Sequence, residues 1–233
     1  MDIPRFFNIT ESAHRIHNPF TPDKFVTLGE ALRLKSGARV LDLGSGSGEM
    51  LCTWARDYGI VGTGIDMSPL FTAQAKQRAE ELGVSHQVNF IHDDAAGYTS
   101  GDKADVAACV GATWIGVASR ALSSFSPKAC APENSLIGEP YWRQLPLTED
   151  IAKKCFANSI SDFLILPELL ASFSSLGYDV VEMVLANQDG WDRYEAANGS
   201  QCVDGLRKIL TMSWPRRFAP SSPQSQLAMQ PTS

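Results

Sequence analysis

The sequence predicts an α/β fold: a doubly wound, mostly parallel sheet with helices on both faces. Three observations carry this. Short apolar runs alternate with segments of helical periodicity, a glycine-rich turn follows the first apolar run, and carboxylates recur at the ends of successive runs. Sheets of this kind take ligands in the crevice at the carboxyl ends of their strands.

The elements follow in order. Phe6 to Phe20 is polar and aromatic and reads as an arm or lid outside the core. Thr21-Pro22-Asp23 starts a helix running to Leu34, with Phe25, Leu28 and Leu32 on one face, and Lys35-Ser36-Gly37 closes it. Strands are predicted over Arg39 to Leu43, Val61 to Ile65, Val88 to His92, Ala104 to Val110, Ser135 to Gly138 and Tyr178 to Leu185. Helices are predicted over Glu49 to Tyr58, Ser68 to Leu82 and Leu166 to Leu176, with Gly59, Gly83 and Gly177 as their stops.

Composition narrows the function. The 233 residues suffice for one large domain, and 44% are apolar against 20% charged, enough to build a packed core. The net charge of −6, with no Lys/Arg cluster, argues against a nucleic-acid partner. The longest apolar stretch, Val106 to Ala118, is too short for the roughly 20 residues of a membrane span, and no signal-peptide layout opens the chain. Five scattered cysteines in no metal-binding spacing fit neither a zinc site nor a disulfide framework. A cytoplasmic protein with no metal and no membrane partner is expected.

The chemistry-bearing loop is Asp42-Leu43-Gly44-Ser45-Gly46-Ser47-Gly48, between a predicted strand and a predicted helix. Its glycines allow a ligand to approach the main chain closely. The G-x-G-x-G spacing lacks the later glycine of dinucleotide-binding loops, and Asp42 would repel a pyrophosphate yet attract an ammonium. A nicotinamide dehydrogenase is therefore disfavoured. An ordinary tight turn would read the same way were the loop alone. It is not alone. Asp66 ends the second strand, where a carboxylate accepts hydrogen bonds from both ribose hydroxyls, while Ser68 is available to cap the next helix. Asp93-Asp94-Ala95 follows the third strand, where a carboxylate meets an adenine amino group.

These three motifs in this order resemble the cofactor motifs of class I S-adenosylmethionine-dependent methyltransferases, from about Phe25 to about Ala197. The arm Glu11 to Phe20, with Gly138-Glu139-Pro140-Tyr141-Trp142 and Gly190-Trp191-Asp192-Arg193-Tyr194, is similar to a group of bacterial methyltransferases with poorly defined substrates. The resemblance implies a Rossmann-like sheet and S-adenosyl-L-methionine as cofactor. Gly44, Ser45, Gly46 and Gly48 would face its methionine portion, Asp66 its ribose, Met67 its adenine ring, and Asp93 or Asp94 with Ala95 its adenine edge. Val110 and Gly111 would lie near the sulfonium. A methyl group would pass to a small-molecule acceptor by in-line displacement, with His14, His17 and Glu139 as candidate bases and Trp114, Tyr141, Trp142 and Arg143 as candidate pocket walls. For the histidines and Glu139 the competing assignment is a surface or strand-end position. For the aromatics and Arg143 it is plain packing. A cofactor-binding protein without turnover is the alternative function.

Two stretches depart from the family. Val117 to Asn134 lacks its usual glycine-rich turn, and no β-rich run after Leu185 supplies a seventh strand. Leu206 to Trp214 reads instead as a short amphipathic helix, and Ala219 to Ser233 is rich in Pro, Ser and Gln. Local changes of reading frame in the gene would leave this pattern; the coding DNA tests that. The expected organisation is an arm over 1–22, a cofactor-binding domain over 23–197 and an atypical, largely disordered tail over 198–233.

Overall fold

The computed structural model describes residues 5–12, 14–98, 103–112, 134–155 and 157–198. Trp114, the stretch 117–133 and everything from 199 onward lie outside them.

Five strands form one parallel sheet: β1 (Arg39–Leu43), β2 (Val61–Asp66), β3 (Val88–His92), β4 (Val106–Val110) and β5 (Asn134–Gly138), in the spatial order β3-β2-β1-β4-β5. The helices are α1 (Arg5–Glu11), α2 (Pro22–Ala31), α3 (Glu49–Tyr58), α4 (Pro69–Glu81), α5 (Glu149–Lys154) and α6 (Leu166–Ser175). Residues 188–198 are also helical. The chain reverses direction across the sheet between β1 and β4, the place where α/β sheets open a ligand crevice.

Alternation along the strands makes two cores. Val40, Val88, Phe90, Val106 and Ala108 pack with α2, α3 and α4 on one face. Leu41, Leu43, Ile65, Ala107 and Cys109 face the other way, against Phe173 of α6 and Tyr178. Local chemistry sets the helix ends. Ser68 caps α4 by accepting from Phe71 N at 3.3 Å, and Gly59 closes α3 in the left-handed region.

Two expectations are corrected. The run Tyr178 to Leu185 is β-branched and apolar enough to read as a strand, yet it joins no ladder. A strand needs a neighbour to take its N–H and C=O groups, and among the described residues no strand pairs with it. The segment carries no regular secondary structure, with Val181 88% exposed. The second correction concerns the arm. It does not stand outside the core: Ile16 and Phe20 pack against the α2–α4 cluster, and Thr10 and Glu11 are buried.

Candidate functional site

The loop after β1 is built from both sides. Gly44 N and Ser45 N both donate to Ile65 O, at 2.8 and 3.0 Å, which fastens the loop to the end of β2. Gly44, Gly46 and Gly48 all take positive φ, a region that costs other L-residues free energy. At Gly48 a Cβ would lie 2.6 Å from the Phe90 ring and 2.8 Å from Ala75 Cβ. Glycine is therefore required there by both conformation and space.

Two buried carboxylates flank the loop. Asp66 accepts from Gly46 N and from Ser68 N, each at 2.8 Å, one on each oxygen. Ser68 carries the helix cap, as its position suggested, but Asp66 is not idle: it braces the loop and keeps one further lone pair per oxygen for a ligand. Burial raises its pKa, against the pull of those two N–H groups. Asp42 is more extreme. It is 3% exposed, its Oδ1 has no partner, and burial, with Asp66 nearby, pushes its carboxyl up to about 7.

The arm closes over this floor. Arg15, Ile16, His17 and Asn18 line one cavity together with Asp42, Gly44, Gly46 and Val110. The His17 ring packs edge-on to Phe71 with centroids 4.3 Å apart, and its Nε2 lies 2.5 Å from Ser47 Oγ. Burial pushes His17 down to about 4, so it is neutral at pH 7. Asn18 sits over the end of β4: a Cβ on Gly111 would be 3.5 Å from Asn18 Cβ.

The remaining sequence candidates fall in three places. Asp93 and Asp94 are exposed just past β3, where Asp94 caps the turn Ala95–Gly97 by accepting from Ala96 N at 2.9 Å. Met67 is half-buried, and its carbonyl lies 3.0 Å from His92 Nε2. Glu139 follows β5, where Gly138 pairs with Val110, and together with Asp42 it adds to the burial that pushes Cys109 up to about 12. Trp142 lies apart, in a small cluster with Ala152 and Ala157, its indole N–H donating to Ile160 O at 2.8 Å. Arg143 is exposed and Tyr141 half-buried. His14 meets the helix at 188–198: its ring lies 4.7 Å from that of Tyr194, tilted by 51°, and its Nε2 meets Asn198 Oδ1 at 2.9 Å.

Several residues of the site escaped the sequence reading. Arg15, Asn18, Phe25, Glu49 and Met50 line the cavity, and Gln74 anchors it from α4, its amide bonding both Ser47 and Ser12 O. Glu49 opens α3 and holds Arg78 through both oxygens, at 2.7 and 3.0 Å. A first-turn acid on the helix after a glycine loop was the one available signal, and it pointed only to the helix dipole.

A parallel sheet with a glycine loop at its switch point and acids on neighbouring strand ends defines a Rossmann-like cofactor-binding enzyme class. Comparison with known proteins narrows it. Residues 40–126 match the family described as "Methyltransferase domain". An uncharacterised protein, YjhP of Escherichia coli strain K12, is 62% identical over 229 residues, which is 98% of this chain and 87% of YjhP. A crystal structure of an S-adenosylmethionine-dependent methyltransferase from Geobacter sulfurreducens, in complex with S-adenosyl-L-homocysteine, superposes with a TM-score of 0.85 at 69% identity, covering 89% of this chain and 84% of that one. Its counterpart from Thiobacillus denitrificans, in the same complex, gives 0.83 at 67% identity over 91% and 84%. The chain belongs to the class I S-adenosylmethionine-dependent methyltransferases.

Proposed function

We propose that this protein transfers a methyl group from S-adenosyl-L-methionine to a small-molecule acceptor. The observation that carries the reading is the orphaned Asp42 Oδ1 in a cavity that Gly44, Ser45 and Gly46 also line. A buried carboxylate oxygen with no donor is completed by an ammonium. Relatives at 69% and 67% identity hold S-adenosyl-L-homocysteine, which carries such an ammonium.

The bound cofactor supplies a methyl carbon already activated by its sulfonium, so the protein's work is alignment and exclusion of water. Asp42 holds the amino-acid end, with Gly44, Ser45, Gly46 and Gly48 against it. Asp66 receives the ribose hydroxyls on its two remaining lone pairs, Met67 packs on the adenine, and Asp93 or Asp94 with Ala95 borders the adenine edge. Val110 and Gly111 end at the sulfonium. The neutral state of His17 keeps positive charge away from it.

The acceptor enters beyond Gly111, bordered by Asn18 and Glu139. Glu139 is the candidate to receive a proton from it. Tyr141, Arg143 and Trp114 are candidates for the outer wall, and Trp142 supports that wall from its own cluster. His14 acts at a distance, by fixing the arm. The organisation proposed is an arm over 1–22, a cofactor-binding domain over 23–197 and a separate tail. The acidic balance of the chain supports a small molecule over a nucleic acid as partner, and its cysteine usage supports the cytoplasm. Among the described residues no helix is long and apolar enough to cross a membrane.

The second reading, cofactor binding without turnover, is favoured by one observation: the segment after α6 stands outside the sheet, so β5 ends the described sheet on the acceptor side. Calorimetry with S-adenosyl-L-methionine, S-adenosyl-L-homocysteine and NAD tests the cofactor. A folded protein that binds neither of the first two ends the reading. Methyl transfer to a panel of amines, thiols, phenols and carboxylates then separates the two functions.

A further inference from the structure

The groups proposed to hold the cofactor lie under a cover of protein. Asp42 and Ser47 are each 3% exposed, and Asp66 is 8% exposed. The arm and α1 supply part of that cover. His17 lies against Gly46, where a Cβ would be 3.2 Å from its Cγ, and Asn8 of α1 meets Ser68 Oγ at 3.2 Å, two residues past Asp66. A ligand that touches buried groups cannot pass the chain that buries them, so the arm opens and closes with each binding event.

Two surfaces hold the arm in place. The first is the glycine loop with α4: Gln74 donates to Ser12 O at 2.9 Å, and His17 Nε2 meets Ser47 Oγ at 2.5 Å. The ion pairs on this side are long, with Arg15 half-exposed at 3.8 Å from Glu49 and 3.6 Å from Glu81, and they contribute little. The second surface is the helix at 188–198. Tyr194 meets Glu11 and the His14 ring, and Asn198 Oδ1 meets His14 Nε2. Gly190 is buried against Pro19, whose carbonyl oxygen a Cβ at 190 would strike. Residues 190, 194 and 198 are four apart, which places them on one stripe of the helix. Between them Trp191, Asp192, Arg193 and Glu195 are exposed, and Arg193 pairs with Asp189 of its own helix at 2.9 Å.

We propose that this helix is a strap over the arm: seated through Gly190, Tyr194 and Asn198, it sets how long the arm stays closed on a bound cofactor. Opening breaks these three seats and closing restores them. Tyr194 and Asn198 are then positioning residues, acting on the cofactor through Glu11 and His14 without touching it. The assignment rests on S-adenosyl-L-methionine being the cofactor. It gives the motif Gly190 to Tyr194 a task that the cofactor contacts leave open.

The release rate of S-adenosyl-L-homocysteine tests it. Protein loaded with tritiated ligand is diluted into excess unlabelled ligand, and the label retained is followed in time. Tyr194→Phe and Asn198→Ala are each expected to release the ligand about fivefold faster, the scale of one net hydrogen bond, and the double variant faster than either. Arg193→Ala, at an exposed position of the same helix, is expected to keep the wild-type rate. Circular dichroism at the assay temperature checks that each variant is folded, and Asn198→Ala carries the test alone should Tyr194→Phe unfold. Hydrogen exchange without ligand gives a second reading. In the strap variants the amides between residues 14 and 20 are expected to exchange faster while those of β1 and β2 keep their rates, a split that a uniform loss of stability does not produce. Unchanged release from folded variants, equal acceleration by Arg193→Ala, or faster exchange spread evenly over β1 and β2 each overturns the proposal and leaves the cofactor reading intact. Failure of the wild type to bind S-adenosyl-L-homocysteine at all overturns both.

Discussion

Tyr194 donates its hydroxyl to Glu11 Oε1 at 2.6 Å, joining the end of α1 to the helix at 188–198 across 183 residues of chain. Glu11 is 2% exposed and its Oε2 has no partner, so this is the one hydrogen bond described for a buried carboxyl. Burial raises the pKa of Glu11, and the Tyr194 hydroxyl opposes that rise by favouring the charged form. Removing the hydroxyl with Tyr194→Phe is expected to destabilise the protein by about 1–3 kcal/mol. The loss should be greater at pH 8 than at pH 5, because rising pH favours the charged form of Glu11, which the hydroxyl stabilises. Urea denaturation at both values checks this, and a loss that ignores pH would remove the charged Glu11 from the account.

Asp42 makes cofactor affinity depend on pH. Burial holds its carboxyl near 7, so below that pH the ligand-free protein keeps a proton that an ammonium must displace. Affinity for S-adenosyl-L-homocysteine is expected to rise between pH 6 and 8, steepest below 7 and by at most about tenfold per unit. The sign for stability is opposite. A carboxyl whose folded pKa is raised takes up protons on folding between its unfolded value and about 7, so stability without ligand falls as pH rises through that window. Asp42→Asn should flatten both profiles, with a higher melting temperature at pH 8 and weaker binding. Unaltered pH dependence in Asp42→Asn would place the titrating group elsewhere.

Asp66 has two duties, and a substitution should reveal both. Asp66→Ala removes the acceptor of Gly46 N and Ser68 N, and with it the proposed ribose contact. Cofactor affinity is expected to fall by about 1–3 kcal/mol, with a drop in melting temperature alongside. Asp66→Asn keeps one acceptor oxygen for the loop, so it should recover more of the stability than of the affinity. Unchanged calorimetric affinity in both variants would exclude Asp66 from the ribose.

Gly48 is expected to tolerate no side chain. Gly48→Ala combines a left-handed conformation (φ +72) with a Cβ 2.6 Å from the Phe90 ring. Strain of about 1–2 kcal/mol adds to overpacking of about 1–3 kcal/mol. Gly83→Ala is the control, since nothing lies within 4 Å of its Cβ although φ is +70. Chemical denaturation should rank Gly48→Ala as the more damaging, and equal effects would mean that the Phe90 ring moves aside at little cost.

How far the sequence could be read follows from the range of each interaction. β1 to β4, the stops at Gly59 and Gly83, the Ser68 cap and the acids at 42 and 66 are set by residues within a few positions of one another, and a linear reading reaches them. Gln74 bonds a carbonyl 62 residues away and Tyr194 a carboxyl 183 residues away; nothing near either residue announces the partner. Tyr178 to Leu185 failed for the complementary reason. Its composition favours an extended backbone, but membership of a sheet belongs to a pair of strands. The arm was misplaced because Ile16 and Phe20 are too few to show periodicity, though each finds the core.

The tie between Glu11 and Tyr194 also orders events in time. A ribosome delivers the N-terminal end first, at roughly 5–20 residues per second, so Glu11 precedes Tyr194 by about 10–40 s. Through that interval α1 lacks the donor its buried carboxyl will meet, and the arm is held over the glycine loop only by its nearer contacts, such as those of Ser12 with Gln74 and His17 with Ser47. The sheet and loop can form while the chain is still growing, but the lid over them gains this tie only once residue 194 has been made. A nascent chain stalled before residue 194 would carry the loop with its roof unlatched.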